Sequence, residues 1–142
     1  MKVTGAFELK DPFILICGVK FEFEIPKARF IEDIKKRFLP EAGWTTHENG
    51  NRTKNEPTKE QMDEYGKNLS VAIFCKSIIK FEDFKFESVK PEEKGNITID
   101  QAQGVLREML DYLPDGDFLA CMDLAKALIV GHPDLFKDQP FL

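Results

Sequence analysis

A chain of 142 residues with 42% hydrophobic content fits one globular domain, large enough to bury roughly 70% of the surface its unfolded form exposes. Its net charge of -5 is spread along the chain without a basic block, which argues against a nucleic-acid-binding face, because phosphate neutralisation needs clustered Lys and Arg. No run of about 18 apolar residues exists to cross a membrane, and Asp11 and Pro12 fall where a signal peptide needs unbroken apolar sequence. The expectation is a soluble, cytoplasmic protein. Phe supplies 13 aromatic residues against two Tyr and one Trp, which points to core packing more than to polar-tipped recognition surfaces.

The apolar run Phe13 to Cys17 precedes Gly18, after which Val19, Phe21, Phe23 and Ile25 alternate with Lys20, Glu22 and Glu24. That period of two predicts a hairpin turning near Cys17-Gly18 with one solvated face. The upstream stretch VTGAFEL is read as a third strand. Pro26 suits the first turn of a helix, and Phe30, Ile31, Ile34 and Phe38 recur at helical spacing up to about Leu39, where Pro40 and Gly43 stop it. Residues 40–57 are rich in polar and turn-forming types and read as a loop. It is longer than compact domains carry without a functional or disordered reason.

Thr58 and Gln61 have capping-box spacing and open a second helix, in which Met62, Tyr65, Leu69, Ala72 and Ile73 mark one face. Val71 to Cys75 is apolar all round, so the C-terminal half of this helix is expected at the centre of the fold. Phe84 and Phe86 alternate with charged residues as a strand would, while Phe81 and Phe84 also fit a helix end, and spacing does not separate the two. The stretch KPEEKGN reads as a surface turn. Thr98 with Gln101 repeats the capping-box spacing before a third helix whose inward residues are Ala102, Val105, Leu106, Met109 and Leu110. Asp115 or Asp117 is expected to cap a last helix, with Phe118, Leu119, Met122, Ala125, Leu128 and Ile129 inward and a stop at Gly131. Residues 132–142 read as a loosely held tail with Leu135 and Phe136 as anchors. The architecture is therefore α+β: an N-terminal antiparallel β-hairpin or small sheet packed on about four α-helices, the last two forming a helical hairpin.

Candidate chemistry is sparse. Cys17, Cys75 and Cys121 are far apart, each in an apolar context, and fit buried hydrophobes better than a disulfide framework or a zinc site. An EF-hand loop centred on Gly116 would place Leu113 and Met122 where carboxylates are required, and one centred on Gly95 would place Lys90 and Gln101 there. His47 and His132 are the only histidines. No catalytic, cofactor-binding or metal residue is assigned. Trp44, alone in a polar stretch, either anchors that stretch to the body or is an exposed contact for a partner.

The segment IIKFEDFKFESVKPEEKGNITIDQAQGVLREML followed by YLPDGDFLACMDLAKAL, behind an N-terminal hairpin, a polar loop and a central apolar helix, resembles the tail assembly chaperones of long-tailed bacteriophages over residues 62 to 130. On that resemblance Phe81, Phe84 and Phe86 close the core and the following residues supply a turn and a helix cap. It implies a non-enzymatic protein of the host cytoplasm that binds the tape measure protein, keeps it soluble and helps recruit the tail tube protein, with self-association open. Many members of that family come in two forms through a frameshift near the end of the gene, which Pro140-Phe141-Leu142 would permit. Trp44, Leu135 and Phe136 are the candidate partner contacts. Two rivals stand beside it: a small adaptor or inhibitor from a mobile element that binds one host protein, and a small enzyme using Glu41 to Pro57 as a lid over a Cys or His.

Overall fold

A computed structural model describes residues 12–130, so the upstream strand, His132 and the tail with Leu135 and Phe136 lie outside the described residues. The fold is α+β, and among the described residues two antiparallel hairpins stand ahead of three of four α-helices. Strands β1 (Phe13–Ile16) and β2 (Val19–Glu22) pair in the register Phe13 to Glu22 and Ile16 to Val19. Cys17 and Gly18 both take positive φ, 52° and 76°, the requirement of a two-residue turn matched to strand twist. The inward face is shorter than the alternation predicts. Phe23 is buried and Phe21 half-buried, whereas Val19 and Ile25 lie at the ends of the alternating run and are about half exposed.

Helix α1 (Ala28–Phe38) begins two residues after Pro26, which lies outside the first turn, and it buries Ile34 and Phe38. Lys35, Lys36 and Arg37 occupy its last turn, where positive charge favours the helix dipole. Arg37 Nη1 also donates to the Ile97 carbonyl at 3.3 Å, which ties α1 to the segment before the third helix. The stretch expected as a loop carries a hairpin, β3 (Trp44–Thr46) with β4 (Arg52–Lys54), turning over His47 to Gly50. Its strands lack apolar alternation. What holds it is a polar set: Thr45 Oγ1 donates to Asn55 Oδ1 (2.6 Å), Asn55 Nδ2 donates to the Ala42 carbonyl (3.1 Å), and the His47 ring bonds the Thr53 hydroxyl (2.6 Å).

Helix α2 (Lys59–Ser77) starts with a complete capping box: Gln61 N–H donates to Thr58 Oγ1 and Thr58 N–H donates to Gln61 Oε1. From Asn68 to Cys75 every residue is buried. Asn68 Oδ1 meets no donor among the described residues, an unmade bond that costs about 1–3 kcal/mol. Phe81–Phe84 is neither strand nor α-helix end but a 3-10 turn, bracketed by Lys80 and Lys85 with φ of 58° and 53°. The turn aims its rings at the core. Phe84 stacks on Phe21 (4.4 Å between centroids) and Phe86 (5.4 Å) and meets Phe74 edge-on (5.5 Å), so it joins the first hairpin to α2. The expected surface turn is a second 3-10 helix, Pro91–Asn96, from which Lys94 Nζ donates to the Ile78 carbonyl at 2.8 Å. Burial, and then nearby Lys76, pull the Lys94 ammonium below its ordinary pKa.

Helix α3 (Ile99–Tyr112) opens with the second expected capping box, Thr98 with Gln101. Its Glu108 carboxylate accepts the N–H groups of Glu87 (2.7 Å) and Ser88 (3.1 Å), fastening the chain that follows the aromatic turn. Helix α4 (Asp115–Val130) follows after Leu113 and Pro114. Asp115 and Asp117 lie inside its first turn instead of capping it, because the Pro114 carbonyl already accepts the Phe118 N–H. There they favour the dipole. α3 and α4 follow one another directly, yet each packs chiefly on α2, with α1 against α2 and β1 against α4.

Gly104 of α3 faces Ser88, and a Cβ there would fall 2.7 Å from the Ser88 Cβ, with the Ser88 hydroxyl closer still. We expect Gly104→Ala to cost roughly 1–3 kcal/mol in denaturant unfolding through overpacking, and Ser88→Gly in the same chain to recover most of it. A neutral Gly104→Ala would contradict this packing.

Candidate partner-binding groove

An apolar groove of about 620 Å³ runs between the N-terminal half of α2, α3 and α4. Helical periodicity creates it. The apolar arcs of α3 and α4 are wider than α2 can cover, so Leu69 and Met122 are buried at the base and Leu106, Phe118 and Ile129 are half-buried. Leu110 and Leu119, expected inward, instead form a rim with Met62 and Val130, exposed by 58, 50, 41 and 65%. Charge enters through Asp63, Lys67 and Lys126. The polar atoms at hand are few, so the groove is suited to apolar surface, the chemistry of a helix laid into a cleft.

Gly66 stands in the α2 wall of this groove. Glycine inside a helix costs about 1 kcal/mol relative to alanine. At Gly104 the loss has a packing reason, whereas a Cβ at Gly66 meets nothing within 4 Å.

Trp44 lies outside the groove, on the β3–β4 hairpin. Register places Trp44, Thr46, Arg52 and Lys54 on one face, and the Arg52 guanidinium sits 5.5 Å over the indole. Trp44 is 55% exposed, with Arg52 of the paired strand over its ring. Sequence reasoning singled out Trp44 but missed the groove, whose signal was the excess breadth of the apolar arcs on α3 and α4. Two smaller hollows lie elsewhere on the described residues. One of about 500 Å³ beside Phe84, Phe86 and Gly104 contains Glu108, whose two oxygens already hold the 87–88 backbone; another of about 370 Å³ lies between Phe30, Arg37 and Asn96.

No group of three His, Cys, Asp or Glu side chains arranged to hold a metal ion occurs among the described residues, and no described helix is long and apolar enough to cross a membrane. The three thiols are not alike. Cys75 and Cys121 are buried as expected, but Cys17 is exposed, because the tight turn that needs positive φ at both positions pushes it to the tip of the hairpin. Burial, with Asp117 nearby, pushes Cys121 up to about 12, and burial raises Cys75 further. The chain matches no protein-family profile, and no curated protein or solved structure matches it.

Thiolate is the reactive form, so burial protects two of the three cysteines twice over, by access and by ionisation. With a chromogenic disulfide reagent at pH 8 we expect one thiol, Cys17, to react in the folded protein and all three to react in denaturant. Rapid reaction of a second thiol in the native state would contradict the burial of Cys75 and Cys121.

Proposed function

We propose that this chain is a non-enzymatic tail assembly chaperone of a long-tailed bacteriophage, acting in the host cytoplasm, which binds the tape measure protein and helps recruit tail tube subunits. The observation that carries the reading is the open groove between α2, α3 and α4, apolar along its base and on its rim. A long, largely helical client offers many amphipathic segments, and a cleft of this kind accepts one by burying its apolar stripe. Coating such a client needs repeated modest contacts, which sum through multivalency. The exposed Trp44 face offers a second contact, since a large aromatic ring flanked by Arg and Lys has the composition of an interface anchor.

Co-expression with the tape measure and tail tube proteins, followed by affinity purification and size-exclusion chromatography with light scattering, tests the assignment. Several copies on one tape measure chain are expected. A compact one-to-one complex with a single host protein, and no tape measure complex, would replace the chaperone reading with that of an adaptor or inhibitor. Trp44→Ala in the same assay is expected to weaken the complex at least several-fold while changing stability by less than about 0.5 kcal/mol, as surface substitutions do. A large loss of stability with unchanged binding would instead make Trp44 a structural anchor.

A further inference from the structure

The groove has two features that bear on what fills it. Gly66 removes the side chain from the α2 wall, and no described atom lies within 4 Å of the place a Cβ would take, so the wall leaves room there for the backbone of a bound segment. The charges at the groove are Lys67 and Lys126 against Asp63 alone, a positive local balance on a chain whose net charge is -5. We propose that the groove takes an amphipathic α-helix of another protein carrying an acidic flank, with its backbone closest to α2 at Gly66. Its apolar stripe covers Leu69, Leu106 and Met122, and its Asp or Glu residues face Lys67 and Lys126. The groove follows α4 from Phe118 to Val130, a rise of about 18 Å, so it seats roughly three turns. This inference rests on the helix-binding role proposed above and adds the charge and the seat of the bound segment.

The probe is a fluorescein-labelled synthetic 18-residue helical peptide with leucine at i, i+3, i+4 and i+7 and glutamate on its flanks, compared with a twin carrying lysine there. Fluorescence anisotropy with the full chain is expected to give at least tenfold tighter binding of the glutamate peptide. The preference should disappear or reverse in the Lys67→Glu, Lys126→Glu double variant. Gly66→Leu is expected to raise the melting temperature, since it replaces a helix-weakening residue in open space, and to weaken peptide binding at least tenfold. Equal binding of the two peptides, or a Gly66→Leu chain that is more stable and binds as before, would overturn the proposal. So would concentration-dependent dimers dispersed by Leu119→Glu, which would make the groove an interface between copies. Peptide binding that emerges only after Leu135→Glu and Phe136→Glu would also overturn it, by assigning the groove to the chain's own residues 131–142. The two readings fail separately. Glutamate-selective binding without any tape measure complex leaves this inference standing and removes the chaperone; a tape measure complex untouched by Leu119→Glu does the reverse.

Discussion

From Asn68 to Cys75 α2 has no solvent face, and every side of that length of helix must be covered by some other part of the chain. A helix apolar all round can exist in water only inside a core. Residues such as Phe74, Ile73 and Val71 each contribute about 1.5–3 kcal/mol when fully buried, so the arrangement around α2 is set by the need to enclose them. α1, α3 and α4 supply three sides, and the β1–β2 hairpin reaches α2 at its C-terminal end. There Glu24 N–H donates to the Ser77 carbonyl (2.7 Å) and Ile79 N–H to the Glu22 carbonyl (2.9 Å). The first hairpin is thereby hydrogen-bonded into the exit of the central helix.

The aromatic turn after α2 completes the enclosure. Phe81 is buried, and Phe84 sits among Phe21, Phe74 and Phe86, so one side chain touches the hairpin, the central helix and the departing chain. Getting it there requires Lys80 and Lys85 to adopt left-handed backbone, which non-glycine residues visit at some cost. Bonds from distant elements hold the geometry: Lys94 reaches back to Ile78, and Glu108 grips the backbone of Glu87 and Ser88. The three phenylalanines run into a charged, proline- and glycine-bearing stretch because the chain must leave the core and be fastened before α3 can start.

Features encoded by neighbours in sequence were legible there. The two capping boxes, the Cys17-Gly18 turn and the apolar centre of α2 each depend on residues within one or two turns of each other, and they stand where spacing places them. The β3–β4 hairpin was not legible, since three-residue strands of Trp, Thr, Arg and Lys have no buried face to alternate. The conformation of Phe81–Phe86 was ambiguous because nothing in a lysine announces positive φ. The groove was hidden for a different reason: periodicity assigns Leu110 and Leu119 to an apolar arc, and only the position of α2 decides how much of that arc is covered. Core and exposed apolar surface use the same residue types, so the division between them is a tertiary property.

α2 thus has two parts with opposite duties. Its C-terminal half is enclosed, and its N-terminal half stays partly uncovered and forms a wall of the groove, with Gly66 left open to approach. Burial of one half holds the other in place, together with the bonds from the Tyr65 hydroxyl to the Lys35 carbonyl and from the Gln103 amide to the Glu64 carboxylate. Native-state hydrogen exchange tests this division most directly. Amides from residue 69 to 77 are expected to exchange only through global unfolding, with denaturant dependence equal to that of the whole protein, while those of residues 62–67 and of the β3–β4 hairpin exchange through local opening. Local, denaturant-insensitive exchange within residues 69 to 77 would contradict the claim that the fold is built around that buried half.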